Sequence, residues 1–248
     1  MTAIETEGLT KSFGDLRALD GLSLTVERGE LFGLLGPNGA GKSTTIKILT
    51  GQLLPDAGHA TVLGTDPTTD PLATRQQVGI LPEREAPPSF MTPREYFSFV
   101  GSVRGLDDQI TDDRIQAWAN RLALGEKLDT LVTDLSRGQQ QKVMITAAFL
   151  AEPDLVFIDE PLANLDPIVQ ERVRQFLSEF VEDGNTVFLS THHIEVAEAI
   201  CTRVGIVNEG QLIDDRDPSM LDPGESLLDL FLSNVDTTDW DGGIDANA

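Results

Sequence analysis

The chain has 248 residues, 40% of them hydrophobic, enough for one large domain or two small ones, and its apolar runs, such as LVFI at 155–158, fall far short of the roughly 20 residues that span a bilayer. Asp and Glu number 41 against 18 Lys and Arg, a formal charge of -23 and a pI near 4.2, which disfavours direct attachment to nucleic acid or anionic lipid and predicts a protein suited to concentrated salt, where self-repulsion is screened. The single cysteine, Cys201, excludes an internal disulfide, and MTAIETEG lacks a basic segment followed by an apolar one, so a soluble cytosolic protein is expected.

In chain order, LSLTVERGELFGLL (22–35) alternates apolar and polar, turns at Glu27–Glu30 and becomes solidly apolar. That pattern predicts a hairpin feeding a buried strand. STTIKILT (43–50) follows a glycine turn and stops before Gly51, as a short helix does. From Pro82 to about Pro153 the character turns helical. Thr92-Pro93-Arg94-Glu95 is a helix start, with a Thr cap, Pro in the first position and Glu three after the cap. FMTPREYFSFV, DDRIQAWANRLAL and QKVMITAAFLA continue in that vein. LVFID and TVFLS are buried-strand candidates. Between them PIVQERVRQFLSEFV has Asp166 as cap, Pro167 next, and an apolar face at Val169, Val173, Phe176, Leu177 and Phe180. Strand–helix–strand predicts a parallel sheet. There is no internal repeat, and SNVDTTDWDGGIDANA (233–248), without Lys or Arg, is expected to be disordered.

Residues 36–44, GPNGAGKST, fit G-x-x-x-x-G-K-[ST] between an apolar strand and a helix, the context a phosphate-binding loop requires. Gly36, Gly39 and Gly41 let the backbone curl so that amides point at phosphate oxygens, and the helix adds its positive end. Pro37, Asn38, Ala40 and Thr44 complete the cradle. Lys42 reaches the β- and γ-phosphates of ATP, and the Ser43 hydroxyl ligates Mg²⁺. A partner carboxylate stands in LVFIDE (155–160). Asp159 should hold the Mg²⁺ shell, and Glu160 could accept a proton from an attacking water. Two acids after a strand are more often a solvated loop; beside this loop, catalysis is the better reading. LSTHHIEVAE (189–198) holds two of the 3 histidines, His192 and His193.

Between the helical stretch and LVFIDE lies LSRGQQQK (135–142), which resembles the signature of ABC-transporter ATPases. PLANLDP (161–167) looks like that family's D-loop, and LSTH (189–192) is similar to its switch-histidine motif. The resemblance runs from residue 2 to about 218, with all motifs in order. It implies an α/β fold: a P-loop NTPase (RecA-like) core with a mainly parallel sheet, an N-terminal antiparallel β subdomain, and an inserted α-helical subdomain at about 84–152. Residues 219–248 would form a C-terminal helix and an acidic tail. It also implies catalytic roles for Glu160, His192 and Lys42, with His192 reaching the γ-phosphate and His193 exposed or capping the next helix. Phe13 in LTKSFGD matches the aromatic position that stacks on adenine; core filling is the alternative. Ser136, Gly138 and Gln139 match signature residues that contact ATP held by another subunit, so a head-to-tail homodimer, or a heterodimer with a related ATPase, is expected.

Two departures stand out. Glu83 in GILPERE replaces the usual Gln; it can still ligate Mg²⁺ but adds a charge, and LPE resembles the export-type branch. Arg137 replaces the first signature glycine and could touch nucleotide, touch the partner subunit or face solvent; a surface role is slightly favoured. GESLLDLFLSNV (224–235) resembles the same branch, with Leu227, Leu228, Phe231 and Leu232 on one helical face. The resemblance thus implies an ATP-hydrolysing subunit, peripheral on the inner face of the cell membrane, that drives a separate integral membrane permease, for export, with no nucleic-acid partner. A soluble ABC ATPase of metal-cluster assembly is the alternative.

Overall fold

The computed structural model describes residues 1–83, 86–160, 167–221 and 226–235. The chain opens with two long antiparallel strands, β1 (Thr2–Phe13) and β2 (Leu16–Glu27). β4 (Ala57–Val62) joins β1 from its other side, giving a three-stranded antiparallel sheet in the order β2-β1-β4. A second, six-stranded sheet is ordered β5-β6-β7-β3-β8-β9. Its members are β3 (Leu31–Leu35), β5 (Val78–Leu81), β6 (Leu155–Asp159), β7 (Thr186–Thr191), β8 (Arg203–Asn208) and β9 (Gln211–Arg216). The first five pair in parallel, and only β9 runs antiparallel, against β8.

The hairpin expected at 22–35 does not form. β2 pairs with β1, whereas β3 pairs with β7 and β8. The Glu27–Glu30 turn, where the Glu27 amide donates to Glu30 Oε2 at 2.8 Å, passes the chain from one sheet to the other. Burial explains the separation. β2 alternates between buried and accessible positions, as a strand with one covered face does, while all five residues of β3 are buried.

The central strands divide their side chains between two cores. Leu31 and Leu35, Val156 and Ile158, and Val187 and Leu189 join one core with most of the helices. Phe32 and Leu34, Leu155 and Phe157, and Phe188 join the other, with the antiparallel sheet and the first helix. That is why LVFID and TVFLS read as unbroken apolar runs: both faces of the sheet are covered.

Helices α1 (Lys42–Leu49), α2 (Pro71–Gln77), α3 (Pro93–Val103), α4 (Asp108–Arg121), α5 (Arg137–Phe149), α6 (Pro167–Glu182), α7 (Ile194–Ile200) and α8 (Leu227–Asn234) complete the framework. α3, α4 and α5 all lie in the chain segment between the neighbouring strands β5 and β6. Thr92 and Glu95 make the reciprocal capping pair that their spacing predicts. α2 has the same signal, an Asp70 cap followed by Pro71, which the sequence reading passed over. On α6, Val169, Val173, Leu177 and Phe180 are buried and Phe176 packs at their edge; the proposed cap, Asp166, lies outside the described residues.

The face expected on α8 needs correction. Leu227, Leu230 and Phe231 are buried, while Leu228 and Leu232 are exposed. Ser226 and Asp229 cap the helix reciprocally. Ser233 and Asn234, assigned to the tail, finish the helix; residues 236–248 lie outside the described residues. No helix among the described residues is long and apolar enough to cross a membrane.

Candidate nucleotide-binding site

β3 ends in the glycine-rich turn, and α1 begins at its far side. Two glycines are required by contact rather than composition. A Cβ on Gly36 would lie 2.3 Å from the Val207 carbonyl oxygen, and Gly41, the residue before the helix, has φ 106° and faces the Ala18 carbonyl. The turn is tied down from outside as well: the Gly210 amide donates to the Ala40 carbonyl at 3.1 Å, and the Asp20 amide to the Gly210 carbonyl at 3.0 Å. The first turn of α1 leaves its amides without helical partners, so the concavity is lined with donors.

Lys42, the first residue of α1, is buried, and its ammonium donates to the carbonyls of Gly36 at 2.7 Å and Pro37 at 3.0 Å. Burial pushes its pKa down; the nearby charges of Glu160, Asp159 and Glu83 partly offset this. One cation therefore faces three of the predicted carboxylates. Ser43 and Thr44 are half-buried beside it. Glu83, just beyond β5, is exposed.

Asp159 ends β6 in register with Ser190 of β7, and the Glu160 amide donates to the Ser190 carbonyl at 2.9 Å. Glu160 has φ 52°, a left-handed conformation unusual for a residue with a side chain. Its carboxylate is held by the neighbouring strand end. Thr191 Oγ1 donates to Oε2 at 3.0 Å, and the His192 amide donates to Oε1 at 2.9 Å. His192 Nδ1 lies 2.6 Å from the same Oε1. Where Nδ1 carries the ring proton, His192 donates to this carboxylate oxygen. His193 is exposed and precedes α7 without a side-chain cap bond; its ring packs 4.0 Å from that of His192, centroid to centroid. Sequence reasoning named His192 and Glu160 but gave no role to Ser190 and Thr191, although both lie inside the LSTH motif.

The donors fit a magnesium nucleotide. Ser43, Asp159 and Glu83 offer only oxygen, the set a hard cation prefers. Among the described residues the buried Ser190 hydroxyl has no partner, an unsatisfied group in the strand position beside Asp159.

Phe13 lies at the end of β1 and is 50% exposed, which removes the core-filling alternative. Lys11 Nζ sits 5.8 Å from its ring, and Asp56 fixes this corner by accepting from Lys11 Nζ at 2.8 Å and from the Ser12 amide at 2.7 Å. The signature residues stand apart. Ser136 caps α5, its hydroxyl accepting from the Gln139 amide while Gln139 Oε1 accepts from the Ser136 amide. Among the described residues no hydrogen bond or ion pair joins Ser136, Gly138 or Gln139 to residues 36–44. Arg137 is exposed. The segment resembling a D-loop lies outside the described residues except for Pro167.

The fold and this cradle define a P-loop nucleotide-binding protein. The profile of the ABC transporter family matches residues 19–163. The probable multidrug ABC transporter ATP-binding protein YbhF of Escherichia coli (strain K12) is 34% identical over 97% of this chain and 42% of its own length. The daunorubicin/doxorubicin resistance ATP-binding protein DrrA of Streptomyces peucetius is 35% identical over 85% of the chain and 64% of its own length. The Nod factor export ATP-binding protein I of Rhizobium sp. (strain N33) is 35% identical over 94% and 77%. The chain thus spans less than half of the first of these relatives. Among solved structures, an ATP-binding subunit of an ABC transporter superposes with a TM-score of 0.87 at 30% identity, covering 93% of this chain and 98% of that one. The chain belongs to the ABC transporter family.

Proposed function

We propose that this chain is the ATP-hydrolysing subunit of an ABC transporter, peripheral on the cytoplasmic side of the membrane, where it drives a separate permease in export. The observation that carries the reading is the convergence of Lys42, Asp159, Glu160 and His192 at one edge of the parallel sheet, where open α/β folds bind their ligands. The names of the relatives, a multidrug transporter, a drug-resistance protein and a Nod factor exporter, favour export over import.

In this reading Lys42 exchanges the Gly36 and Pro37 carbonyls for the phosphate oxygens of ATP. Backbone amides of the glycine-rich turn and the first turn of α1 surround those oxygens, and Phe13 offers its open face to the base. Mg²⁺, held by Ser43 and Asp159 with Glu83 in reach, would supply charge neutralisation between the β- and γ-phosphates. Glu160 accepts the proton of the attacking water as the water oxygen bonds to the γ-phosphorus and the bond to the bridging oxygen breaks; ADP and phosphate leave. Thr191 and His192 hold the Glu160 carboxylate in place, and His192 would reach the γ-phosphate.

Ser136, Gly138 and Gln139 cap an anion-attracting helix end that meets no phosphate loop within one chain. Two chains packed head to tail bring each such end to the ATP of the other, as a homodimer or with a related ATPase. Residues 2–218 then form the ATP-binding unit, and the helices within about 84–152 carry its closure to the permease past Glu83. The test is Glu160→Gln in purified protein with ATP and Mg²⁺. It should bind ATP, dimerise and turn over about 10²–10⁴-fold more slowly; cycling at the wild-type rate would refute the base, and a monomer under these conditions would refute the sandwich.

A further inference from the structure

His193 has no part in the hydrolytic reading, yet its ring is stacked on one that does. We propose that Glu160, His192 and His193 form a binding site for a borderline divalent transition metal of the Zn²⁺ class, distinct from the magnesium site at Ser43 and Asp159. One oxygen of Glu160 and one ring nitrogen of each histidine all lie within 4.8 Å of one another. A tetrahedral zinc with bonds near 2.0–2.1 Å needs ligand atoms about 3.3 Å apart. The Glu160–His192 contact, at 2.6 Å, is already inside that spacing and opens slightly around an ion. The remaining closure falls to His193, an exposed ring with no side-chain bond to hold it at the start of α7.

The donor set chooses the metal. Two imidazoles and a carboxylate suit zinc, nickel or copper, whereas Mg²⁺ prefers an all-oxygen shell. Three protein ligands leave a fourth position for water. The surrounding bonds pre-orient the ligands: Thr191 Oγ1 donates to the second oxygen of Glu160 and accepts from the His193 amide at 3.0 Å, so one hydroxyl links both arms of the site. The net charge of -23 raises the local concentration of any cation. Binding through His192 Nδ1 replaces its contact with Glu160, with the ring proton on Nε2, the tautomer that leaves Nδ1 free to ligate.

A carboxylate bound to a divalent ion is a weaker base than a free one, and the His192 ring that holds Glu160 is engaged with the ion, so occupancy slows turnover. This second consequence rests on the proposed function; the binding does not.

The test is a zinc titration of metal-stripped full-length protein against a chromophoric chelator, at fixed high chloride, with His193→Ala and His59→Ala variants. His59 is an exposed histidine on β4 and serves as the control. One equivalent should bind to the wild type and to His59→Ala with equal affinity, and at least tenfold more weakly to His193→Ala, whose melting temperature and zinc-free ATP turnover stay at wild-type values. Equal affinity in His193→Ala, or a loss confined to His59→Ala, overturns the site and assigns the uptake to the acidic surface. In parallel, zinc should inhibit ATP turnover of the wild type at least tenfold more potently than that of His193→Ala. If no form hydrolyses ATP, the proposed function fails and the titration still decides the metal site.

Discussion

Glu160 and His192 share a single carboxylate oxygen: Oε1 accepts from the His192 backbone amide at 2.9 Å and lies 2.6 Å from the His192 ring nitrogen. The proposed base and its histidine neighbour are therefore one hydrogen-bonded unit rather than two independent groups. Removing either partner should disable the unit, so the costs should not add. Glu160→Gln and His192→Ala are each expected to lower ATP turnover by about 10²-fold or more, and the double variant should fall little further. A steady-state phosphate-release assay on the four proteins measures this. Costs that multiply would mean that the two side chains act separately.

Asp56 links stability to the nucleotide corner. The bond from the Lys11 ammonium, then that from the Ser12 amide, hold its carboxyl below its ordinary value. Folding thus favours the ionised form. The contribution is complete above the unfolded value, about 3.9, and is lost as pH falls through the lower folded value. Wild type should melt slightly above Asp56→Asn at pH 7, and the gap should shrink towards pH 3; a gap that ignores pH would place the effect elsewhere. Because Lys11 and Ser12 flank the chain leading to Phe13, the variant should also weaken ATP binding about two- to fivefold, the size of an exposed cation–π contact.

The fold class and the place of the candidate site were both legible in the sequence, while some pairings were not, and particular residues show why. Gly36, Gly41 and Lys42 are constrained by local backbone geometry, so nine contiguous residues carry the signal. Asp159 and Glu160 could be read because a fully buried strand has a recognisable apolar run and a defined end. The Glu27–Glu30 turn misled because a turn between two extended segments looks the same whether its strands pair with each other or with distant partners, and the partners of β3 lie more than 150 residues away in β7 and β8. α8 misled because Leu227, Leu228, Leu230, Phe231 and Leu232 offer apolar residues around most of the helix, and only packing selects the buried set. Ser190 and Thr191 stood inside LSTH without a role assigned to them; their contacts appear only when β7 is laid beside β6.

Close packing behind the phosphate loop gives a prediction of stability. A Cβ on Gly33 in β3 would stand 2.6 Å from the Cys201 sulfur, which is buried at the end of α7. Gly33→Ala should therefore cost about 1–3 kcal/mol, the usual range for overpacking, and Cys201→Ala in the same chain should recover much of it. Denaturant unfolding of the two single variants and the double variant measures the coupling; additive costs would mean that the strand relaxes instead. Burial also pushes the Cys201 thiol well up, so thiol reagents at pH 8 should label the unfolded chain and spare the folded one.

Charge sets the final expectation, a stability that grows with salt. Several ion pairs on this surface are well exposed, among them Arg17–Asp20, Arg28–Asp154, Arg94–Asp129 and Arg121–Glu179. Each contributes little to stability and weakens as salt rises. Against them stands the mutual repulsion of an excess of 23 negative charges, 41 less 18, screened by the same ions as the Debye length falls from about 10 Å at 0.1 M to 3 Å at 1 M. Repulsion among so many unpaired charges outweighs a few weak pairs, so net stabilisation is expected. Between 0.1 and 1 M KCl the melting temperature should rise by at least about 2–4 °C, corresponding to roughly 1 kcal/mol for a chain of this size. Chloride is the right salt, because sulfate would stabilise any protein by exclusion from its surface. A melting temperature that stays level or falls across the series would show that the ion pairs dominate and that the acidic surface is no adaptation to salt.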